Sequence, residues 1–103
     1  MGINETQKSI VQWADETFGP ATSVARVAAR ANEEMAELLR KVTIDDSAPE
    51  VVEEVADVVI VLCRVASMLG SDLAAEIDRK MAINRQREWR KDNTGHGYHV
   101  RPK

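Results

Sequence analysis

Two groups of carboxylates interrupt otherwise apolar helical sequence. The first is Glu33-Glu34-Met35-Ala36-Glu37; the second is Glu53-Glu54-Val55-Ala56-Asp57, followed at once by Val58-Val59-Ile60-Val61-Leu62. Glu34 and Glu37 are three apart, as are Glu54 and Asp57, so on helices each pair shares one face. Like charges on such a face need a neutralising partner, because an unpaired buried carboxylate is very costly. A hard divalent cation is the natural one. Carboxylate oxygens suit Mg2+, with Mn2+ as a substitute, and Mg2+ often bridges to the phosphates of a substrate. Convergence of Glu34, Glu37, Glu54 and Asp57 would surround one or two such ions. The plain alternative is a pair of solvated acidic faces, but the second cluster sits on a helix with little other polar surface.

Other metals fit poorly. Di-iron carboxylate bundles need Glu-x-x-His on two helices, whereas the histidines here are His96 and His99, both near the end of the chain. Zinc would need partner ligands beside Cys63, and there are none nearby in sequence. A complementary cationic set follows: Lys80, Asn84 and Arg87 fall at i, i+4 and i+7, placing two cations and an amide on one helical face. Such donors form charge-assisted bonds with phosphate oxygens. Nucleic acid is a weaker reading of this face, since the whole chain carries a net charge of -3 and shows no aromatic-rich stacking surface.

The chain has 103 residues, which predicts one small domain and burial through self-association. Charge is uneven: Met1 to Asp78 holds 6 Lys/Arg against 15 Asp/Glu, and Arg79 to Lys103 holds 8 against 2. Lone Cys63 excludes an internal disulfide framework and reads as a small buried hydrophobe. No apolar run reaches membrane-spanning length, and Met1-Gly2-Ile3-Asn4-Glu5-Thr6 fits a myristoylation pattern too short and common to outweigh a cytoplasmic expectation.

Four helices must position these groups. The first runs from about Asn4 to Phe18, with Ile3, Ile10, Val11, Ala14 and Phe18 inward, and ends at Gly19-Pro20. Thr22 or Ser23 caps the second, whose stripe is Val24, Val27, Ala28, Ala31, Met35, Leu38 and Leu39, ending near Lys41. Ser47 caps the third, with Pro49 in its first turn and Gly70 after its end. It is apolar on most sides and so central, touching neighbours all round, another subunit included. The fourth runs from about Asp72 to Lys91. The fold class is all-α: a single domain over residues 1–92, then a loop or tail over 93–103.

At these residues the chain resembles the MazG-like, all-α nucleoside triphosphate pyrophosphohydrolases. The motifs are Glu33-Glu34-x-x-Glu37, Glu54-x-x-Asp57 and Lys80-x-x-x-Asn84-x-x-Arg87, in that order, and the likeness runs from the first helix through Trp89. The ending from Trp89 through Gly95-His96-Gly97-Tyr98-His99 looks like that of short phage and bacterial members and departs from the longer housekeeping form, leaving the base open. The resemblance implies a four-helix bundle completed by oligomerisation as a dimer or tetramer, and hydrolysis of a (deoxy)nucleoside triphosphate to monophosphate and pyrophosphate. It implies Mg2+ on Glu34, Glu37, Glu54 and Asp57, and a phosphate grip by Lys80, Asn84 and Arg87. Glu33, Glu50 and Glu53 are all open as the general base, Glu33 and Glu53 foremost.

Trp13, at the edge of the first apolar stripe, stacks on a base or serves as peripheral core. Trp89 reads as a packing anchor, and His96 and His99 as tail residues. Two other classes compete: a helical interaction module that keeps the fold without activity, and a nucleic-acid-binding bundle. Intact acidic and basic sets weigh against the first, and overall acidity against the second.

Overall fold

A computed structural model describes residues 4–101, so Ile3 and the start of the myristoylation pattern lie outside the described residues. The four expected helices are α1 (Gln7–Phe18), α2 (Val24–Ile44), α3 (Pro49–Met68) and α4 (Leu73–Gln86). They are followed by two short strands, β1 (Trp89–Lys91) and β2 (Gly97–His99). The chain divides into two compact units, one ending at Leu73 and one beginning at Ala74.

In the first unit α3 packs against both α2 and α1. Helix α1 starts three residues later than its apolar pattern suggests, because Thr6 and Ser9 form a reciprocal capping box: the Ser9 amide donates to Thr6 Oγ1 at 3.0 Å and the Thr6 amide to Ser9 Oγ at 2.8 Å. It stops at Gly19, whose φ of 86° suits a residue without Cβ. Ser23 caps α2 by accepting from the Arg26 amide. That helix continues one turn past Lys41, and Ala48 rather than Ser47 caps α3. Ser47 is drawn away by Asp45, whose Oδ1 accepts from both its amide and its hydroxyl in an Asx turn. These two bonds hold the Asp45 carboxyl below its ordinary pKa.

Gln7 clamps the unit shut at one end. Its Nε2 donates to Ser67 Oγ (2.7 Å) and to the Ser71 carbonyl (2.8 Å), while its Oε1 accepts from the Leu73 amide (2.6 Å). The buried core is thin: Ala14, Val27, Ala31 and Cys63, with Glu54 the buried charged residue among the described residues. Burial, with Asp72 nearby, pushes the Cys63 thiol pKa up. By contrast Leu39, Val55, Val59 and Leu62 are exposed, and Val52 is 71% exposed.

The second unit corrects the sequence reading. The expected fourth helix ends at Gln86, five residues early, and the expected loop closes as an antiparallel hairpin pairing Trp89 with His99, Arg90 with Tyr98 and Lys91 with Gly97. Asp92 organises the turn: its Oδ1 accepts from the Thr94 amide and hydroxyl and from the His96 amide. Asn93 and Gly95 supply the positive φ values, 70° and 90°. Gly97 is required for a different reason, since a Cβ there would lie 2.7 Å from the Arg90 carbonyl oxygen across the ladder. Trp89, expected as a packing anchor, is instead 48% exposed; its Nε1 donates to the Asn84 carbonyl at 2.7 Å, and its ring lies 5.7 Å from that of His99.

Candidate active site

Helix periodicity builds the site from two facing rows. On α2, Arg26, Arg30 and Glu34 recur every four residues; on α3, Asp57, Val61 and Arg64 do so at i, i+4 and i+7. Both rows line one cavity of about 690 Å³. Trp13 and Phe18 of α1, with the corner from Gly19 to Ser23, complete its wall. The cavity therefore has a carboxylate end, with Glu34 and Asp57, and an aromatic end.

At the carboxylate end, Glu34, Glu54 and Asp57 each offer an oxygen within 4.8 Å of the others. Glu54 is 8% exposed. Its Oε1 accepts from Lys41 Nζ at 2.7 Å, while its Oε2 is buried and unpartnered. Lys41 has a matching response: the bond to Glu54 holds its ammonium pKa above the usual lysine value. Arg30 spans two carboxylates, Nη1 to Glu33 Oε2 at 2.9 Å and Nη2 to Glu34 Oε1 at 2.5 Å, and its pKa is raised by Glu33 first and Glu34 next. The donor set is all oxygen, from three carboxylates, with one buried lone-pair site unfilled. That fits a hard divalent cation.

The remaining predicted residues fall as follows. Glu37, half-buried, pairs with Arg40 Nη2 at 2.5 Å rather than with the three carboxylates, and that bond lowers its pKa. Glu33 is exposed and held by Arg30; Glu50 and Glu53 are exposed on the first turns of α3. Trp13 is 54% exposed in the cavity wall and meets Phe18 edge to face at 5.5 Å. Lys80, Asn84 and Arg87 belong to the second unit, but only Lys80 and Asn84 are on α4; the helix ends at Gln86, so Arg87 lies just past it rather than on the expected shared helical face. Asn84 Oδ1 is buried without a partner. Desolvation, then Arg87, Arg101 and Lys80, lowers the His99 pKa, so these cations share one neighbourhood.

Sequence reasoning missed Arg30, Lys41 and Arg64. Arg64 had a legible signal, a lone charge within the apolar run of α3. Arg30 had another, standing three and four residues before Glu33 and Glu34. Lys41 had none, because its contact with Glu54 exists only once α2 and α3 pack.

No protein-family model matches the chain. A dATP/dGTP diphosphohydrolase of Salmonella phage PMBT28 is 36% identical over 98 residues, which are 95% of this chain but 31% of the relative's length. A dATP/dGTP diphosphohydrolase of Cyanophage S-2L is 32% identical over 98 residues, covering 95% of this chain and 88% of the relative. The solved structure of the Cyanophage S-2L MazG-like pyrophosphohydrolase superposes with a TM-score of 0.73 at 31% identity, over 94% of this chain and 91% of that one. The chain belongs to the MazG-like nucleotide pyrophosphohydrolases. The cyanophage structure holds dGDP and three catalytic Mn2+ ions per active site. A MazG-like fold thus accounts for the mostly helical architecture, and the Glu34, Glu54 and Asp57 oxygens are placed so that they could hold a metal ion.

Proposed function

We propose that this chain hydrolyses a purine deoxynucleoside triphosphate to its monophosphate and pyrophosphate, with Mg2+ or Mn2+ held by Glu34, Glu54 and Asp57. The observation that carries this reading is one cavity with converging carboxylates at one end and a half-exposed aromatic pair at the other. Asp57 and Arg64 are seven residues apart on α3, a rise of about 10 Å, so the carboxylate end and the Gly19 corner are two separate parts of one cavity. The purine preference rests on the relatives' names, dATP/dGTP diphosphohydrolase.

Bound cations would neutralise phosphate charge and lower the pKa of a water molecule, so that loss of its proton yields the attacking hydroxide. The chain's own residues do the rest. Glu34, Glu54 and Asp57 fix where charge is neutralised, and Arg30 restrains Glu34 through its short ion pair. Glu37 joins the ligand set on releasing Arg40. Glu33 and Glu53, beside Glu34 and one turn before Asp57, are the groups to accept the water's proton. Trp13 stacks on the base. Lys80, Asn84 and Arg87 carry the chemistry of a phosphate grip. The exposed α3 face with Val52, Val55, Val59 and Leu62 is covered by a second copy, making the protein a homo-oligomer.

The test is a panel of the four deoxynucleoside triphosphates with Mg2+ and with Mn2+, scored for pyrophosphate against orthophosphate. Pyrophosphate release, fastest with dATP or dGTP, is expected. Orthophosphate as the product, or equal turnover in EDTA, overturns the mechanism.

A further inference from the structure

Arg64 is a charged residue on the cavity wall that the reaction chemistry does not use, and its long-range partners lie at the Gly19 corner. Its side chain is 14% exposed, near the C-terminal end of an apolar helix. Were it there only to pack α3 on α1, an apolar side chain would serve without the cost of desolvating a guanidinium. What it does is specific. Nη2 donates to the Gly19 carbonyl at 2.5 Å and to Asp15 Oδ1 at 3.1 Å. Those partners lie 45 and 49 residues away in the chain.

Gly19 is thereby fixed on both sides of its backbone: its carbonyl by Arg64, and its amide by the Asp15 carbonyl at 2.9 Å. Pro20 follows, with φ locked by its ring. Phe18 precedes, so fixing Gly19 also fixes the backbone from which Phe18 reaches Trp13. Both aromatics leave much apolar surface in water, Trp13 at 54% and Phe18 at 68% exposure. An arrangement that spends a nearly buried arginine on holding exposed aromatics in place suits a preformed slot for a flat ring.

We infer that Arg64 is the positioning residue of a nucleobase slot, clamping the Gly19 corner so that Trp13 and Phe18 stand ready to receive a purine ring. It acts through Gly19 and Asp15 and takes no part in phosphate chemistry. This rests on the nucleotide reading above. Base and phosphate affinities should therefore separate on its removal.

The experiment compares folded wild type, Arg64→Met and Arg64→Lys, in Mn2+, for binding of dGMP and of inorganic tripolyphosphate, with KM and kcat for dGTP. Losing a charged hydrogen bond pair should weaken dGMP binding and raise KM by about tenfold or more in Arg64→Met. Tripolyphosphate affinity and kcat should stay within about twofold. Arg64→Lys keeps one cationic donor and should fall between; it decides the matter if Arg64→Met does not fold. The readout that simple loosening would not give is the split between the two ligands. Wild-type dGMP affinity in folded Arg64→Met, or in Arg64→Lys where Arg64→Met does not fold, or an equal loss of both ligands in either variant, overturns the inference. Wild type that binds tripolyphosphate but not dGMP removes the base-slot reading beneath it as well.

Discussion

Glu54→Gln tests the metal site most directly, because it changes charge without changing shape. Glu34 and Asp57 lie within 4.8 Å of Glu54. At that distance and an effective dielectric of about 20, each like-charge pair costs about 3.5 kcal/mol, less for Asp57 because it is exposed to solvent. The substitution relieves both. It also removes the attraction to Lys41 at 2.7 Å, which works in the opposite sense over a shorter distance. The two effects largely cancel, so the metal-free melting temperature should stay within about 5 °C of wild type. Turnover should not survive. Loss of a supporting group already costs a metal site about 10–100-fold, and a ligand should cost more than the upper figure. The assays are pyrophosphate release at saturating Mn2+ and thermal melts in EDTA with and without Mn2+ restored. In wild type Mn2+ should raise the melting temperature by mass action, and in the variant by much less. Turnover within about tenfold of wild type, together with an undiminished Mn2+ shift, would refute the assignment.

Three further outcomes are expected. Lys80→Ala and Arg87→Ala should each lower kcat/KM for the triphosphate by about one to two decades while leaving Mn2+ affinity without nucleotide nearly unchanged; no effect would make this face a solvated helix surface. Sedimentation should find a dimer or larger, with a melting temperature that climbs with protein concentration, and a stable monomer at micromolar concentration would refute this. His99 titrates below the ordinary 6.5 because desolvation and then Arg87, Arg101 and Lys80 disfavour its charged form. A depressed histidine contributes stability above its unfolded pKa and loses it as pH falls toward the folded one. His99→Asn should therefore flatten the decline in melting temperature below about pH 6.5. An identical pH profile in the variant would show that the cations do not reach it.

What the sequence revealed was whatever local patterns determine. Helix existence followed from apolar spacing, and the Gly19 stop from a residue type that only one backbone conformation demands. The pair Glu54 with Asp57 is a fact of helical repeat, legible before any fold, whereas Arg87, expected on one helical face with Lys80, lies just past the end of α4 at Gln86. The misses were competitions. Ser47 is a good cap in isolation, but Asp45 two residues earlier takes its hydroxyl. Residues 89–99 lack an apolar alternation, so nothing announced strands; the turn around Asp92 makes the hairpin, through bonds that read as ordinary loop chemistry. Glu37 shares a face with Glu34, yet the nearer Arg40 holds it. Spacing names which residues can meet, and only packing decides among rival partners.

The bond from Lys41 to Glu54 bears on the order in which a working molecule is assembled. Many small metal-binding domains cannot fold until the ion arrives, because their ligands have no other way to be neutralised. Here a lysine from the neighbouring helix already stands at one oxygen of the most deeply placed acid. The newly made chain can close α2 on α3 in a cell short of metal and wait, shaped but idle. Stripping the ion with a chelator should then silence the protein without unravelling it, and returning the ion should restore it without a round of refolding.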